Sequence, residues 1–105
     1  MDKLIDTLPA ILKAAAGSEE VAEAACIAAW KHAVGETLST HAVPLRLRDH
    51  TLLVAVADNI WQKQLDHMRS QLLYRLNTIL GQPVVKSIEW SINPEALLSK
   101  TTSNV

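Results

Sequence analysis

Phenylalanine is absent from this 105-residue chain, and aromatic residues make up only 4 % of it. Leu, Val, Ile and Ala must therefore fill the core, within a hydrophobic content of 49 %. One cysteine, Cys26, excludes an internal disulfide and fits a reduced cytosol. No apolar run approaches the ~20 residues needed to cross a bilayer. Acidic residues stand among the apolar ones in MDKLIDTLPAILKAAAG, which speaks against a signal peptide. Only Gly17, Gly35 and Gly81 are glycines, and they lie far apart. Neither a phosphate-cradling loop nor a dinucleotide fingerprint can be built from them. A net charge of −1 gives no bulk signal for nucleic acid.

What is present is length enough for one domain and a clear change of hydrophobic period. A domain over residues 1–92 and a short tail over 93–105 are expected. Leu4, Ile5, Leu8, Ile11, Leu12 and Ala15 form the stripe of an amphipathic helix. Pro9 is tolerated near its start, where helical N–H partners are missing anyway, and Gly17 ends it. Ser18 is a good cap for a second helix, with Glu19 and Glu20 at its positive end. That helix runs to about Thr40. Ile27, Trp30, Val34 and Leu38 carry its buried stripe, and its alanines let a neighbour approach closely. Gly35 inside it costs about 1 kcal/mol against Ala, which suggests a bend or close packing.

After His41 the period becomes two. Val43, Leu45 and Leu47 alternate with Pro44, Arg46 and Arg48, as in a strand with one dry and one basic face. Asp49–His50 is a tight turn. TLLVAVA is apolar on both faces, so it reads as a central or doubly covered strand, paired antiparallel with the first. In DNIWQKQL either Asn59, with Gln62 reaching back, or Asp58 caps a third helix. Trp61, Leu65, Met68, Leu72, Leu76 and Ile79 give it a continuous stripe, and Gln62, Lys63, Asp66, Arg69, Ser70 and Asn77 face water. Gly81 and Pro83 stop it. VVKSIEWSI is a third strand with Val84, Ile88, Trp90 and Ile92 on one face. EALLSKTTSNV should make one short turn and then fray. The order α-α-β-β-α-β predicts an α+β fold, a three-stranded sheet covered by helices on one face.

His32, His41, His50 and His67 lack zinc-site spacing, and there is no Cys pair. Cys26 lies among alanines, where a free cysteine acts as a small buried hydrophobe. No nucleophile–base set is legible locally. The chain is therefore read as non-enzymatic, with no cofactor or metal. Charge is uneven: residues 1–41 carry six acidic and three basic residues, and residues 42–105 carry five acidic and seven basic. This is either a polarised surface or an ordinarily solvated one. Arg46 and Arg48 on the strand, Lys63 and Arg69 on the third helix and Arg75 near its edge are the candidate contacts to phosphates of a single strand. Trp30, Trp61, Leu65 and Trp90 are candidate core residues, with Tyr74 exposed. The acidic outer face of the second helix could meet a basic partner, and its alanines could pair with a second copy.

The segment WKHAVGETLSTHAVPLRLRDHTLLVAVADNIWQKQL resembles the DciA family of bacterial replicative-helicase loaders. The matching positions are Trp30, Val34, Gly35, His41, Pro44, Asp49, Thr51, Leu52, Val54, Val56, Trp61 and Leu65. LNTILGQPVVKSIEW is similar to the family's closing helix and strand, and the resemblance covers about residues 20–92. It implies a KH-like domain that contacts the replicative DNA helicase and, weakly, single-stranded DNA. The alternative is a general single-stranded nucleic-acid-binding module, for RNA or DNA, without a helicase contact. His50 stands where the family has a turn glycine, so another turn type is expected. The Gly-x-x-Gly loop of nucleic-acid-clamping KH domains is absent. Family members often carry a long C-terminal extension, and any loading role of such a tail would be missing or weakened here.

Overall fold

The computed structural model describes residues 6–97. In chain order it has α1 (Leu8–Ala14), α2 (Glu19–Val34), α3 (Glu36–Ser39), β1 (Ala42–Arg48), β2 (Thr51–Val56), α4 (Asn59–His67), α5 (Arg69–Leu80) and β3 (Ser87–Ile92). Residues 94–97 add a helical turn. Leu4, Ile5 and the tail from residue 98 lie outside the described residues. The sheet order is β1-β2-β3, with β1 antiparallel to β2 and β3 parallel to β2. A strand that returns through helices re-enters in the same direction. This is the α+β, KH-like architecture expected from the order of elements.

Both long helices predicted from periodicity are broken in two. Gly35 adopts φ 94° and ψ 159°, a region open essentially to glycine alone, and α3 turns away there. The second break has no glycine or proline to announce it. Met68, at φ −99° and ψ 6°, closes α4 and opens α5. Between α1, α2 and the sheet, the core differs in detail from the predicted stripes. Ile11 and Ile27 are exposed. Trp30 and Val34 are buried as expected, joined on the buried face of α2 by Ala25, Cys26, Ala29 and Ala33 in place of Ile27. Small residues let α2 lie close to Leu72, Leu76 and Leu80 of α5, which share one core with Leu52, Val54, Leu65 and Ile88. Ala25, Ala29 and Ala33 are thus occupied within the chain, while Ala24 and Ala28 on the outer face are exposed.

The first strand corrects the predicted alternation. Its register slips between Pro44 and Arg46, so Leu45 is an extra residue, a β-bulge, and is exposed. Opposed residues share a face: Ala42, Pro44 and Leu47 lie with Val56, Val54 and Leu52 on the helix side. Val43, Arg46 and Arg48 lie with Ala55, Leu53 and Thr51 on the other side. Val43 was expected on the dry face with Leu45 and Leu47; the bulge moves it to the face of the arginines.

Asp49 and His50 both have positive φ, 50° and 62°, as a two-residue primed hairpin turn demands. The turn is therefore of the usual kind despite the missing glycine. His50 is held by the chain beyond α5: its ring Nδ1 lies 2.9 Å from the Val84 carbonyl, and its own carbonyl accepts from Lys86 and Ser87. β3 begins at Ser87, later than predicted, because Asn77 takes the backbone of Val85. The amide Nδ2 donates to Val85 O at 2.8 Å, and Oδ1 accepts from Val85 N at 3.0 Å. Asn77 is thus a tether and not a solvated face residue. Ile92, expected on the buried face of β3, is 52 % exposed, because it lies at the strand's end.

Candidate functional site

The outer edge of β1 is sealed by one face of α2. The Trp30 indole N–H donates to Ala42 O at 2.9 Å in a buried bond. Glu23 Oε2 accepts from Leu47 N at 3.0 Å, and Glu19 Oε2 accepts from Asp49 N at 3.2 Å. Pro44 lacks an N–H to leave unpaired. Ser18 makes this possible by capping α2, its side chain accepting from Val21 N, so the helix axis and its carboxylates are set beside the strand. Glu19 and Glu23 were not legible as strand partners. Their spacing of four puts them on one helix face, but nothing in the sequence tells which strand that face meets.

The three tryptophans divide. Trp30 is 2 % exposed, whereas Trp61 and Trp90 are half-buried and pack against the core from its margin. Asp58 caps α4, its side chain accepting from Trp61 N at 3.0 Å; of the two candidate caps, Asp58 is the one used. This positions Trp61 against His41, ring centroids 4.0 Å apart and 10° from parallel. One indole face is therefore already taken by an imidazole, which limits base-stacking there. Trp90 donates its indole N–H to Asp66 Oδ1 at 2.9 Å, and Arg69 pairs with the same oxygen. These bonds, the indole first and the guanidinium next, hold the Asp66 carboxyl below the usual carboxylate range. Leu65 is wholly buried.

The candidate phosphate contacts fall into two groups. Arg46 and Arg48 are exposed on the sheet face turned away from the helices, beside Thr51, Leu53, Ser87, Glu89 and Ser91. Lys63 and Arg75 are exposed on α4 and α5, in the helix layer. Arg69 is at the α4–α5 junction and committed to Asp66. The sheet separates the two groups. The open face carries no aromatic residue, so it can offer single-stranded nucleic acid charge but not stacking.

No catalytic arrangement emerges around Cys26. Burial, and then the charge of Glu23, push its thiol up to about 12, so at neutral pH it is not a thiolate nucleophile. A cleft of about 380 Å³ opens between α1, the hairpin turn and the loop after α5, lined among others by Leu12, Glu19, Leu47, His50 and Pro83. Two acidic residues line it, Glu19 and Asp49, and the Glu19 carboxylate accepts from Asp49 N. Among the described residues, no group of three His, Cys, Asp or Glu comes together as metal ligands do, and no helix is long and apolar enough to cross a membrane.

A family model described as "Dna[CI] antecedent, DciA" matches residues 3–89. The chain belongs to the DciA family. Its relatives include a UPF0232 protein of Rhodococcus jostii, 38 % identical over 79 residues, which are 75 % of this chain and 42 % of the relative. A UPF0232 protein of Mycolicibacterium paratuberculosis is 38 % identical over 72 residues, 69 % of this chain and 40 % of the relative. One from Mycobacterium tuberculosis is 35 % identical over 72 residues, 69 % of this chain and 38 % of the relative. This DciA-family chain thus matches about two-fifths of the length of these curated relatives. The junction of α4 and α5 reads Asp66-His67-Met68-Arg69 and has none of the glycines of the Gly-x-x-Gly loop with which KH domains clamp nucleic acid. Its side chains are engaged with β3 through Asp66 and Trp90.

Proposed function

We propose that this chain is a non-enzymatic DNA-replication adaptor of the bacterial cytoplasm, which binds the replicative DNA helicase, and single-stranded DNA weakly, to assist helicase loading. Membership of the DciA family over residues 3–89 is the observation that carries this reading. The exposed Arg46 and Arg48 on the open sheet face support the DNA contact, and the lack of stacking aromatics beside them fits weak, charge-driven binding.

A pull-down with the organism's replicative helicase, paired with a titration of single-stranded DNA at several salt concentrations, tests both halves. Helicase should be retained. Replacing Arg46 and Arg48 together by alanine should flatten the log–log salt dependence by about two units, roughly one per lost phosphate contact. An unchanged slope removes the open sheet face from the DNA contact and leaves Lys63 and Arg75. Equal binding of RNA and single-stranded DNA with no retained helicase would replace the adaptor by a general nucleic-acid-binding module.

A further inference from the structure

The free edge of β3 carries the next inference, which rests on the adaptor reading and locates where the protein partner docks. Ser87 N donates to His50 O and Asn93 N to Val56 O, so the odd-numbered residues of β3 turn their peptide groups toward β2. In a parallel ladder the intervening residues face the opposite way. Ile88, Trp90 and Ile92 therefore turn N–H and C=O outward, and no hydrogen bond joins those groups to any described residue. The one charge on β3, Glu89, is exposed and restricts pairing to a strand of complementary charge. The strand's sequence SIEWSI has no proline, no lysine and no bulge, devices that normally blunt an edge.

We propose that the outer edge of β3 accepts an extended segment of the partner protein as a fourth strand. Outward groups on such an edge alternate donor and acceptor. Another polypeptide backbone matches that alternation, whereas a phosphodiester strand presents acceptors only, and the exposed Glu89 repels it. The occupant is thus a polypeptide. Its chemistry follows from the flanking side chains: Ile92, 52 % exposed, faces the helix side, and Glu89 faces the open side. The segment alternates apolar residues over Ile92 with a lysine or arginine opposite Glu89. A second copy fits less well. Six residues of ladder span about 20 Å, and Asp66 and Arg69, which flank Trp90, are charged and exposed. Little apolar surface is left to reach the roughly 1,000 Å² of a stable interface.

The experiment uses the full chain and the organism's replicative helicase. Ile92→Pro removes one outward N–H without touching the β2 ladder, and Ile92→Ala is the control that keeps it. Ile92→Pro should weaken helicase binding at least tenfold and Ile92→Ala only a few-fold, both with single-stranded DNA binding unchanged. Glu89→Lys should weaken helicase binding several-fold while tightening single-stranded DNA, because it lies on the open face with Arg46. As a readout independent of any variant's folding, amide exchange of Ile88, Trp90 and Ile92 in the unaltered chain should slow when helicase is added. If helicase binds but these amides exchange as before, the edge is not the docking site, while the adaptor reading stands. If helicase does not bind the unaltered chain, both fall. Slowed exchange with rising chain concentration and no helicase would assign the edge to a second copy and overturn the proposal.

Discussion

On the β1 edge, Trp30, Glu23 and Glu19 of one helix occupy the groups of Ala42, Leu47 and Asp49. On the β3 edge, the groups of Ile88, Trp90 and Ile92 bond to no described residue. Each edge also has an indole N–H bond. That of Trp30 is buried and ends on a backbone carbonyl, and that of Trp90 is exposed and ends on a carboxylate. A sheet of three strands has two edges exposed to chance pairing, and blocking both would leave no place for a partner strand. The difference shows that edge protection is selective here, built from helix side chains on one side and withheld on the other.

The largest way to break this contrast is Trp30→Ala. It opens a cavity in the core and leaves Ala42 O without its donor, so it should cost about 3–5 kcal/mol, read from denaturant midpoints. A loss under about 1 kcal/mol would mean that the indole does not hold the β1 edge. Trp61 supplies the scale. It is half-buried, so Trp61→Ala should cost about 2 kcal/mol, roughly half the full-burial figure. A mutant of unchanged stability that fails to bind helicase would make Trp61 a contact residue.

Glu23 tests the seal itself. Glu23→Ala leaves Leu47 N–H without an acceptor and should cost about 1–2 kcal/mol. It should also make the chain self-associate as its concentration rises, seen by sedimentation, because a second edge becomes available. Glu23→Gln keeps an acceptor oxygen and should do neither to the same degree. Self-association of both variants alike would point to the lost charge, not the lost bond.

Most elements were legible because their signals are local. Ser18 and Gly17 delimit the helices, Asp49–His50 marks the turn, and the shift from a period near four to a period of two marks the sheet. The bulge was not legible, since Val43, Leu45 and Leu47 satisfy strict alternation and an inserted residue shows only against a partner strand. The break at Met68 carries no proline or glycine. It is held from outside, by Asp66 reaching Trp90 some 24 residues away. Asn77 was read as solvated for the same reason: its partner, Val85, lies beyond the helix. Among the candidate contact residues, exposure of Arg46, Arg48, Lys63 and Arg75 followed from the pattern. Their division between two sides of the sheet required the register.

The smallest expected effect separates the two indole bonds by pH. The Asp66 carboxyl is held low by Trp90 and Arg69. A carboxylate lowered on folding stabilises the fold fully above its unfolded value and loses that contribution as pH falls through its folded value. Acidification below the ordinary carboxylate range should therefore release the Trp90 indole, while Trp30, whose acceptor is a carbonyl, keeps its bond. Indole N–H resonances followed from pH 6 down to about 2.5 should show Trp90 moving and Trp30 fixed until global unfolding. Asp66→Asn should abolish the Trp90 transition, with only a slight change in the thermal midpoint because the pair is exposed and screened. If both indoles move together, the α4–β3 contact is not an independent, weaker tether, and the contrast between the edges rests on the backbone groups alone.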